Sequence, residues 1–377
     1  MYKYIIINST YNYPKGYSAA NTKFRYLAMG IVSRRPCYII EGVDNASNCS
    51  VTRENKIICI KYKNDNFLLK ILGPLFILLR MCKHSSDNDF IILTSSPKFR
   101  LLFSLLVFKS IHKRVKIGYV FHEWHVATNI SFGAKLKSYL YDNFAGYLFN
   151  LILPISSFLE NKSRKFHKPI IKLPILFHYD NNPKSDCVPL YNTNITYCGQ
   201  IDYYRVIKII INVAEHYSKV KDEIFFNLVL YGNQNQIDKL RDEIENKQLK
   251  DVISIYQNVQ DSQLQKMYRE SLALLIPLSK QSIQDKARFS QKIAEYISSG
   301  RPIITNDVGD ITIYFKDKKS AIILTDLTFD SLYEGISYLK ANKSLANTIG
   351  MNGFSIGKEY FEYKKISNKI IDQIELL

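Results

Sequence analysis

The sequence predicts an α/β protein made of two successive Rossmann-like domains. The length of 377 residues fits two domains of roughly 100–200 residues each. Short β-branched runs alternate with helical patterns, as in βαβ units of a parallel sheet. A polar segment at 180–186 interrupts this alternation, which then restarts. We therefore expect domains at 1–182 and 190–355, with a C-terminal helix at about 358–377 packing back on the first domain.

The strands of the first domain are short apolar runs, which are typical of parallel strands that are buried on both faces. A polar, small-residue loop follows the first strand, and a helical pattern covers 21–32. The predicted strands are 4–7, 36–40, 56–60, 90–93, 115–121 and 151–155.

The second domain repeats the same alternation. Its predicted helices are 206–217, 236–247 and 262–270, and its predicted strands are 194–198, 226–231, 252–256, 272–276, 302–305 and 321–324. Folds of this kind bind ligands at the carboxyl ends of their strands. We therefore expect a ligand there, in the cleft between the domains.

Composition excludes several classes of protein. With 46% hydrophobic and 23% charged residues, the chain is not a disordered tail. We find no apolar run long enough for a membrane span and no signal-peptide pattern at the N-terminus. Six cysteines without a CxxC pair predict free thiols in a reducing cytosol and no zinc or other metal site.

The positive charge is concentrated in the N-terminal half. The net charge is +17, and residues 1–190 carry 27 basic against 11 acidic side chains, compared with 24 against 23 in residues 191–377. This asymmetry predicts two domains with different partners. The basic half should face nucleic acid, acidic lipid or a charged substrate.

The most informative motif lies at 285–304. After a loop, the chain reads KIAEYISSGRP from Lys292 to Pro302, a helix with a Glu-aliphatic-small-Gly ending before a strand that opens with Pro. This motif resembles the C-terminal domains of GT-B-fold glycosyltransferases, and most closely their retaining family 4. The resemblance implies two Rossmann-like domains facing each other across a central cleft, with Glu295 holding the ribose hydroxyls of a nucleotide sugar. A carboxylate accepts two hydroxyl donors well. The alternative is an ordinary helix with a solvated Glu295 and Gly300 as its C-cap.

Other segments resemble the donor-binding motifs of the same family. The YCGQ sequence that ends in Gly199 and Gln200 resembles a strand-Gly-Arg-Leu pattern, and in the family this basic residue and a later one clamp the diphosphate. Here Gln200 stands in place of the first basic residue, and we assign the clamp to Arg205, with Arg288 or Lys292 supplying the missing charge. The predicted donor-binding set is Gly16, Gly199, Arg205, Gly232, Arg288, Ser290, Lys292 and Glu295.

One position departs from the family pattern. Many members carry a second Glu eight residues before the ribose-binding one, where this sequence has Ala287. Asp285 is the nearest carboxylate, so sugar recognition either uses Asp285, Lys286 and Arg288 or differs from the common pattern.

The first domain carries two further resemblances. The loop at 13–20, with Gly16, resembles the family's small-residue loop that faces the transferred sugar and phosphates. The strand that ends before His122, Glu123, Trp124 and His125 resembles the family's strand with a His near the reacting carbon. We expect His122 to contact the donor sugar and rank His125 second. A simple turn and structural histidines are the alternatives.

Two apolar segments, 67–81 and 101–109, have flanking basic residues. They are either buried core helices or sites of peripheral membrane attachment. In the second case, binding to anionic vesicles should depend on Lys109, Lys113, Arg114 and Lys116.

The resemblance implies a retaining, metal-independent glycosyltransferase that uses a nucleotide-diphosphate sugar and no other cofactor, with His122 and Arg205 as catalytic residues. The expected acceptor is a lipid-linked or growing cell-surface glycan of a bacterium (capsule, lipopolysaccharide or exopolysaccharide). The expected location is the cytoplasm, on the inner face of the cell membrane. Two alternatives remain open at this point: a nucleotide-sugar epimerase of the same fold, and a basic nucleic-acid-binding protein, although the sequence has no nucleic-acid-binding motif.

Overall fold

The computed structural model describes residues 2–8, 19–43, 50–63, 67–83, 89–95, 99–127, 131–179 and 193–377. The chain divides into two compact units. The first unit comprises Met1–His178, Lys286–Gln291 and Phe361–Leu377, and the second comprises Tyr179–Asp285 and Lys292–Tyr360. The linker predicted at 180–186 and the predicted site residue Gly16 lie outside the described residues.

The first unit is built on a seven-stranded sheet in the order β3-β4-β2-β1-β5-β6-β7. Its strands pair in parallel except β3, which is antiparallel to β4. Strand β3 was not predicted, because it is an exposed edge strand without an apolar run. The strands are β1 Lys3–Asn8, β2 Cys37–Val43, β3 Ser50–Glu54, β4 Ile57–Lys63, β5 Phe90–Thr94, β6 Lys116–Phe121 and β7 Leu151–Pro154.

The longer helices of this unit are α1 Ala19–Ile31, α2 Phe67–Lys83, α3 Phe99–Ile111, α4 Phe132–Phe144, α5 Ser157–Ser163 and, from the end of the chain, α14 Tyr363–Leu376. Helix α14 packs closely on α1, since a Cβ at Gly30 would lie 2.2 Å from Ser367 Oγ. Arg35 holds the same helix through two hydrogen bonds to Glu375, of 2.8 and 2.6 Å. The C-terminal helix therefore completes the first unit.

Helices α2 and α3 cover the two apolar segments that suggested membrane attachment. Leu78 in α2 and Leu105 and Phe108 in α3 are fully buried. Burial also lowers the pKa of Lys109 at the end of α3, with Lys168 as a further cause. These contacts favour the core-helix interpretation for both segments.

Six residues of the predicted second domain, Lys286–Gln291, belong to the first unit. The Ser156 hydroxyl donates a hydrogen bond to the Ala287 carbonyl, and Gln291 Nε2 donates to the Leu176 carbonyl at 2.6 Å. The ring of Phe289 packs against Phe361, 5.5 Å between centroids. These partners are far away in sequence, so the motif gave no signal of this grouping.

The second unit contains a six-stranded sheet in the order β10-β9-β8-β11-β12-β13, with every pair parallel. Its strands are β8 Asn194–Gln200, β9 Phe225–Tyr231, β10 Ile253–Tyr256, β11 Ala273–Ile276, β12 Ile303–Asn306 and β13 Ile322–Leu324. Its helices are α6 Tyr204–Lys219, α7 Gln234–Asn246, α8 Asp261–Arg269, α9 Ile283–Ala287, α10 Gln291–Ile297, α11 Ile311–Tyr314, α12 Phe329–Ala341 and α13 Lys343–Tyr360. Helix α9 ends, and helix α10 begins, within Lys286–Gln291, the segment that belongs to the first unit. The two Rossmann-like sheets confirm the predicted fold class.

Each unit contains a packed apolar core that is built from its helices and strands. None of the helices in the described part of the chain has the length and apolar character that a membrane span requires. The described cysteines Cys37, Cys59, Cys82 and Cys198 are free and buried.

Candidate active site

In the second unit, the carboxyl ends of β8 and β9 are shaped by two glycines. Gly199 is buried next to the last residue of β8, and a Cβ there would lie 2.2 Å from the Tyr197 hydroxyl. Gly232 follows β9 with φ +128°, and its Cβ would lie 2.8 Å from Ile201 Cγ2. Both positions therefore exclude side chains, Gly232 also through its backbone conformation.

Lys292 and Glu295 lie one turn apart on α10, so they share a face of that helix. The Lys292 ammonium is 3.1 Å from Cys198 Sγ and 5.6 Å from the centroid of the Tyr231 ring. Burial lowers the pKa of Lys292, but Cys198 and Glu295 outweigh it and hold that pKa well above its ordinary value. The ammonium is therefore charged and held at the carboxyl ends of β8 and β9.

A tyrosine pair fixes α10 to β8. The hydroxyl of Tyr296 accepts a 2.9 Å hydrogen bond from the backbone N–H of Cys198. Its ring meets that of Tyr268 edge to face, 4.8 Å between centroids, and both rings are fully buried. The face with Lys292 and Glu295 is thus supported by packed aromatic side chains.

Arg205 and Gln200 lie on either side of the short turn between β8 and α6. Both side chains are exposed. The structure brings together Gly199, Gly232, Lys292 and Glu295, and it places Arg205 at the start of the next helix. The diphosphate-clamping role of Arg205 stays a prediction.

Asp285 is 95% buried, and its Oδ2 accepts a 3.0 Å hydrogen bond from the backbone N–H of Ser279. The backbone N–H of Asp285 donates to Ser282 Oγ at 3.1 Å. The carboxylate therefore orders the loop after β11, and its role in sugar recognition stays a prediction. Arg288 and Ser290 belong to the first unit.

In the first unit, His122 directly follows β6. Its Nδ1 lies 3.3 Å from the Val120 carbonyl oxygen, which can only accept, so this contact requires a proton on Nδ1. Burial, together with the nearby Lys23 ammonium, lowers the pKa of His122 to about 3. The imidazole is therefore neutral at physiological pH, and Nε2 is a hydrogen-bond acceptor.

His125 is held by a carboxylate of α4. Its Nδ1 lies 2.7 Å from Asp142 Oδ1, and Asp142 Oδ2 accepts a 2.9 Å hydrogen bond from the backbone N–H of Val126. Asp142 is 1% exposed. This pair fixes the orientation of the imidazole and joins the loop after β6 to α4.

Sequence reasoning missed Lys23 in α1. This side chain is 3% exposed, and its ammonium has no hydrogen-bond partner among the described residues. Burial lowers the pKa of Lys23 to about 7, against the opposing influence of Glu123. A lysine soon after the loop that follows β1 was the available signal, but its burial depends on non-local packing.

The described residues contain no group of three or more His, Cys, Asp or Glu side chains that could hold a metal ion.

Residues 189–355 match the family model of glycosyl transferases group 1. No curated protein matches the chain. The matched segment contains Gly199, Gly232, Lys292 and Glu295, the four residues that converge in the second unit.

Solved structures resemble the whole chain. Sucrose-phosphate synthase from Thermosynechococcus elongatus has a TM-score of 0.74 at 13% identity, covering 99% of this chain and 98% of that one. Anabaena HepE in complex with UDP has a TM-score of 0.72 at 14% identity, covering 100% of both chains. The Escherichia coli trehalose-6-phosphate structure with UDP-2-fluoro glucose has a TM-score of 0.68 at 10% identity, covering 100% and 99%. At these identities the likeness shows the fold. The chain therefore has the GT-B fold, and its second unit carries the glycosyl transferases group 1 match at residues 189–355.

Proposed function

We propose that the enzyme transfers a sugar from a nucleotide-diphosphate sugar to a lipid-linked or growing cell-surface glycan. The proposal includes retention of the anomeric configuration and independence from metal ions. The observation that carries the donor assignment is the charged pair Lys292 and Glu295, on one face of α10 beside the ends of β8 and β9.

Each residue of this pair has a distinct role in the proposal. Glu295 accepts hydrogen bonds from the ribose hydroxyls, since a carboxylate is acceptor-only and takes two donors at once. Lys292 remains a cation despite its burial and adds positive charge to the donor site. The absence of a side chain at Gly199 leaves room for the Tyr197 ring, and at Gly232 it leaves room for Ile201 and permits the positive φ of the turn after β9.

The first unit supplies the contacts to the transferred sugar. Neutral His122 accepts a sugar hydroxyl hydrogen bond at Nε2, because its Nδ1 proton is directed to Val120. Lys23 lies near enough to His122 to affect its pKa, and oxygen atoms of a bound substrate would give its ammonium the acceptors it needs.

The reaction in this proposal is a front-face displacement. The bond from the anomeric carbon to the diphosphate breaks as the acceptor hydroxyl attacks from the same face. Arg205, with Lys292, stabilises the negative charge on the leaving diphosphate, which takes the acceptor's proton.

A uridine nucleotide is the first donor class to test. HepE has been solved with UDP and with UDP-glucose, and the trehalose-6-phosphate structure holds UDP-2-fluoro glucose. A thermal-shift panel of UDP-, GDP- and dTDP-sugars compares the bases directly. A ligand at 100 times its dissociation constant adds about 2.7 kcal/mol to the free energy of unfolding. Absence of any shift across the panel would contradict the donor assignment.

Three further measurements test metal independence, retention of configuration and the epimerase alternative. Turnover after removal of divalent ions with EDTA should equal that of the untreated enzyme if no metal is needed. The anomeric configuration of the product, read by NMR coupling constants, should match that of the donor. Product analysis without an acceptor should show no epimerised nucleotide sugar.

A further inference from the structure

Helix α4 turns its large apolar side chains toward solvent. Phe132, Leu136, Tyr139, Leu140 and Phe144 are between 45% and 84% exposed. Successive helical residues rotate by about 100°, so these five positions lie on one side of the helix. Tyr147 and Leu148, in the short turn that follows, are also exposed. We call this set the α4 apolar face.

The opposite side of α4 packs on the protein and is more polar. Tyr141 and Asp142 are buried, and Ala134 and Ser138 are half-buried. A surface helix of a globular protein normally has the reverse pattern, with its apolar stripe toward the core. Core packing therefore does not account for the α4 apolar face, and a contiguous exposed patch of this kind marks an interaction site.

The exposed charged residues of α4 itself are lysines. Lys135 and Lys137 are exposed on α4 and lie on the two flanks of the apolar stripe. Asp142, the acidic residue of α4, is buried against His125. A third base, Lys165, contacts the helix through a 2.5 Å hydrogen bond from Nζ to Asn143 Oδ1.

We propose that the α4 apolar face docks on the surface of an anionic membrane. An interfacial helix has this arrangement, with aromatic and leucine side chains at the acyl boundary and lysines that reach back to lipid phosphates. Protein–protein interfaces are depleted in lysine, which argues against a second copy of this chain as the occupant. The proposal places the membrane contact on α4 rather than on α2 and α3, where Leu78, Leu105 and Phe108 are buried although Phe76, Phe103 and Ile111 are exposed.

The docking proposal rests on the proposed function, because contact with a membrane would bring the enzyme to an acceptor that is linked to a lipid. The inner side of the same helix holds His125 and the backbone N–H of Val126 through Asp142. These buried hydrogen bonds join the docked helix to the loop after β6, which also contains His122.

The test is co-sedimentation of the full chain with vesicles of phosphatidylcholine alone, or of phosphatidylcholine mixed with the anionic lipid phosphatidylglycerol. We expect binding to the anionic vesicles that weakens as salt rises. The triple variant Phe132→Ser, Leu136→Ser, Leu140→Ser should lower the partition coefficient by at least about tenfold. The variant Lys135→Glu, Lys137→Glu tests charge separately, with about a fivefold loss for each lysine.

Matched controls come from the second unit. Val220→Ser with Ile313→Ser removes exposed apolar side chains, and Lys239→Glu with Lys316→Glu makes the same change of charge. Neither should alter vesicle binding. Wild-type protein that ignores anionic vesicles, or α4 variants that bind like the wild type, would overturn the proposal. It would also be overturned by a wild-type dimer in sedimentation analysis that the triple variant converts to monomer, since α4 would then be a subunit interface.

This test does not depend on turnover. Nucleotide binding without vesicles reports on the donor site, and vesicle binding without nucleotide reports on α4. A failure of the docking proposal is therefore distinguishable from a failure of the glycosyltransferase proposal.

Discussion

The two units hold their candidate site lysines, Lys292 and Lys23, in different environments. Lys292 lies against Cys198 and near Glu295, and Tyr296 fixes the backbone beside them. In the first unit, Lys23 is buried with no hydrogen-bond partner among the described residues, beside the neutral His122. Neighbouring groups therefore hold the pKa of Lys292 above its ordinary value, whereas burial lowers the pKa of Lys23 to about 7.

The largest effect should come from His122. His122→Ala should reduce kcat by about a hundredfold or more, the range for loss of one preorganised polar contact in a transition state. The dissociation constant for UDP should stay unchanged, because the contact is to the transferred sugar. The pH profile of the wild-type enzyme should show no step from His122 above pH 5, since its pKa is about 3. Nearly intact turnover would make His122 structural and direct the next test to His125.

The second prediction concerns the effect of Lys23 on the free energy of unfolding. Lys23→Met should raise the free energy of unfolding at pH 7 by about 1–3 kcal/mol, because an unpaired buried polar group is removed, and should lower turnover. The pKa of about 7 in the folded chain lies below the ordinary 10.5, so the unfolded chain binds more protons between these values. The free energy of unfolding of the wild type should therefore rise with pH from about 7 to 10, by up to about 1.4 kcal/mol per pH unit. Below pH 7, Lys23 should contribute no pH dependence to this free energy.

Chemical denaturation at pH 6, 7, 8 and 9 measures this difference. Lys365→Met, at an exposed lysine of α14, is the control and should leave the pH dependence as in the wild type. A variant at Lys23 that is less stable than the wild type at every pH would show that the ammonium is already satisfied in the folded chain.

A smaller effect is expected at Asp142. Asp142→Asn keeps the shape but weakens the charge-assisted bond to His125, so the free energy of unfolding should fall by about 1–2 kcal/mol. Glu362→Gln is the control, because it changes a carboxylate that caps the N-terminus of α14. It should lower the free energy of unfolding by about 1 kcal/mol or less and leave turnover unchanged. Full stability of Asp142→Asn would mean that the His125 contact is not formed in solution.

The same comparison explains what the sequence could predict. The strands and the motif around Glu295 are local, because Lys292, Glu295, Gly300 and Pro302 occupy one short stretch that specifies a helix, its end and a strand. The fold class and the choice of Gly199, Gly232, Lys292 and Glu295 as candidate site residues follow from such local patterns.

The first unit was harder to predict because its site comes from distant elements. Lys23, His122 and Asp142 belong to α1, the end of β6 and α4, and only packing brings their neighbourhoods together. The segment Lys286–Gln291 likewise joins the first unit through hydrogen bonds with Ser156 and Leu176, which are distant in sequence. The exposed apolar side of α4 has an ordinary helical period, and sequence alone does not say which side faces out.

The division of labour between the units is tested most directly by the dissociation constant for UDP in three variants, measured by titration calorimetry. Glu295→Gln should weaken binding by about 1–3 kcal/mol, the usual loss for a charged hydrogen-bond acceptor. Glu334→Gln, at an exposed carboxylate on α12 of the same unit, and His122→Ala in the first unit should both bind UDP like the wild type. Unchanged affinity in a folded Glu295→Gln variant, or a loss in His122→Ala as large as in Glu295→Gln, would contradict the account.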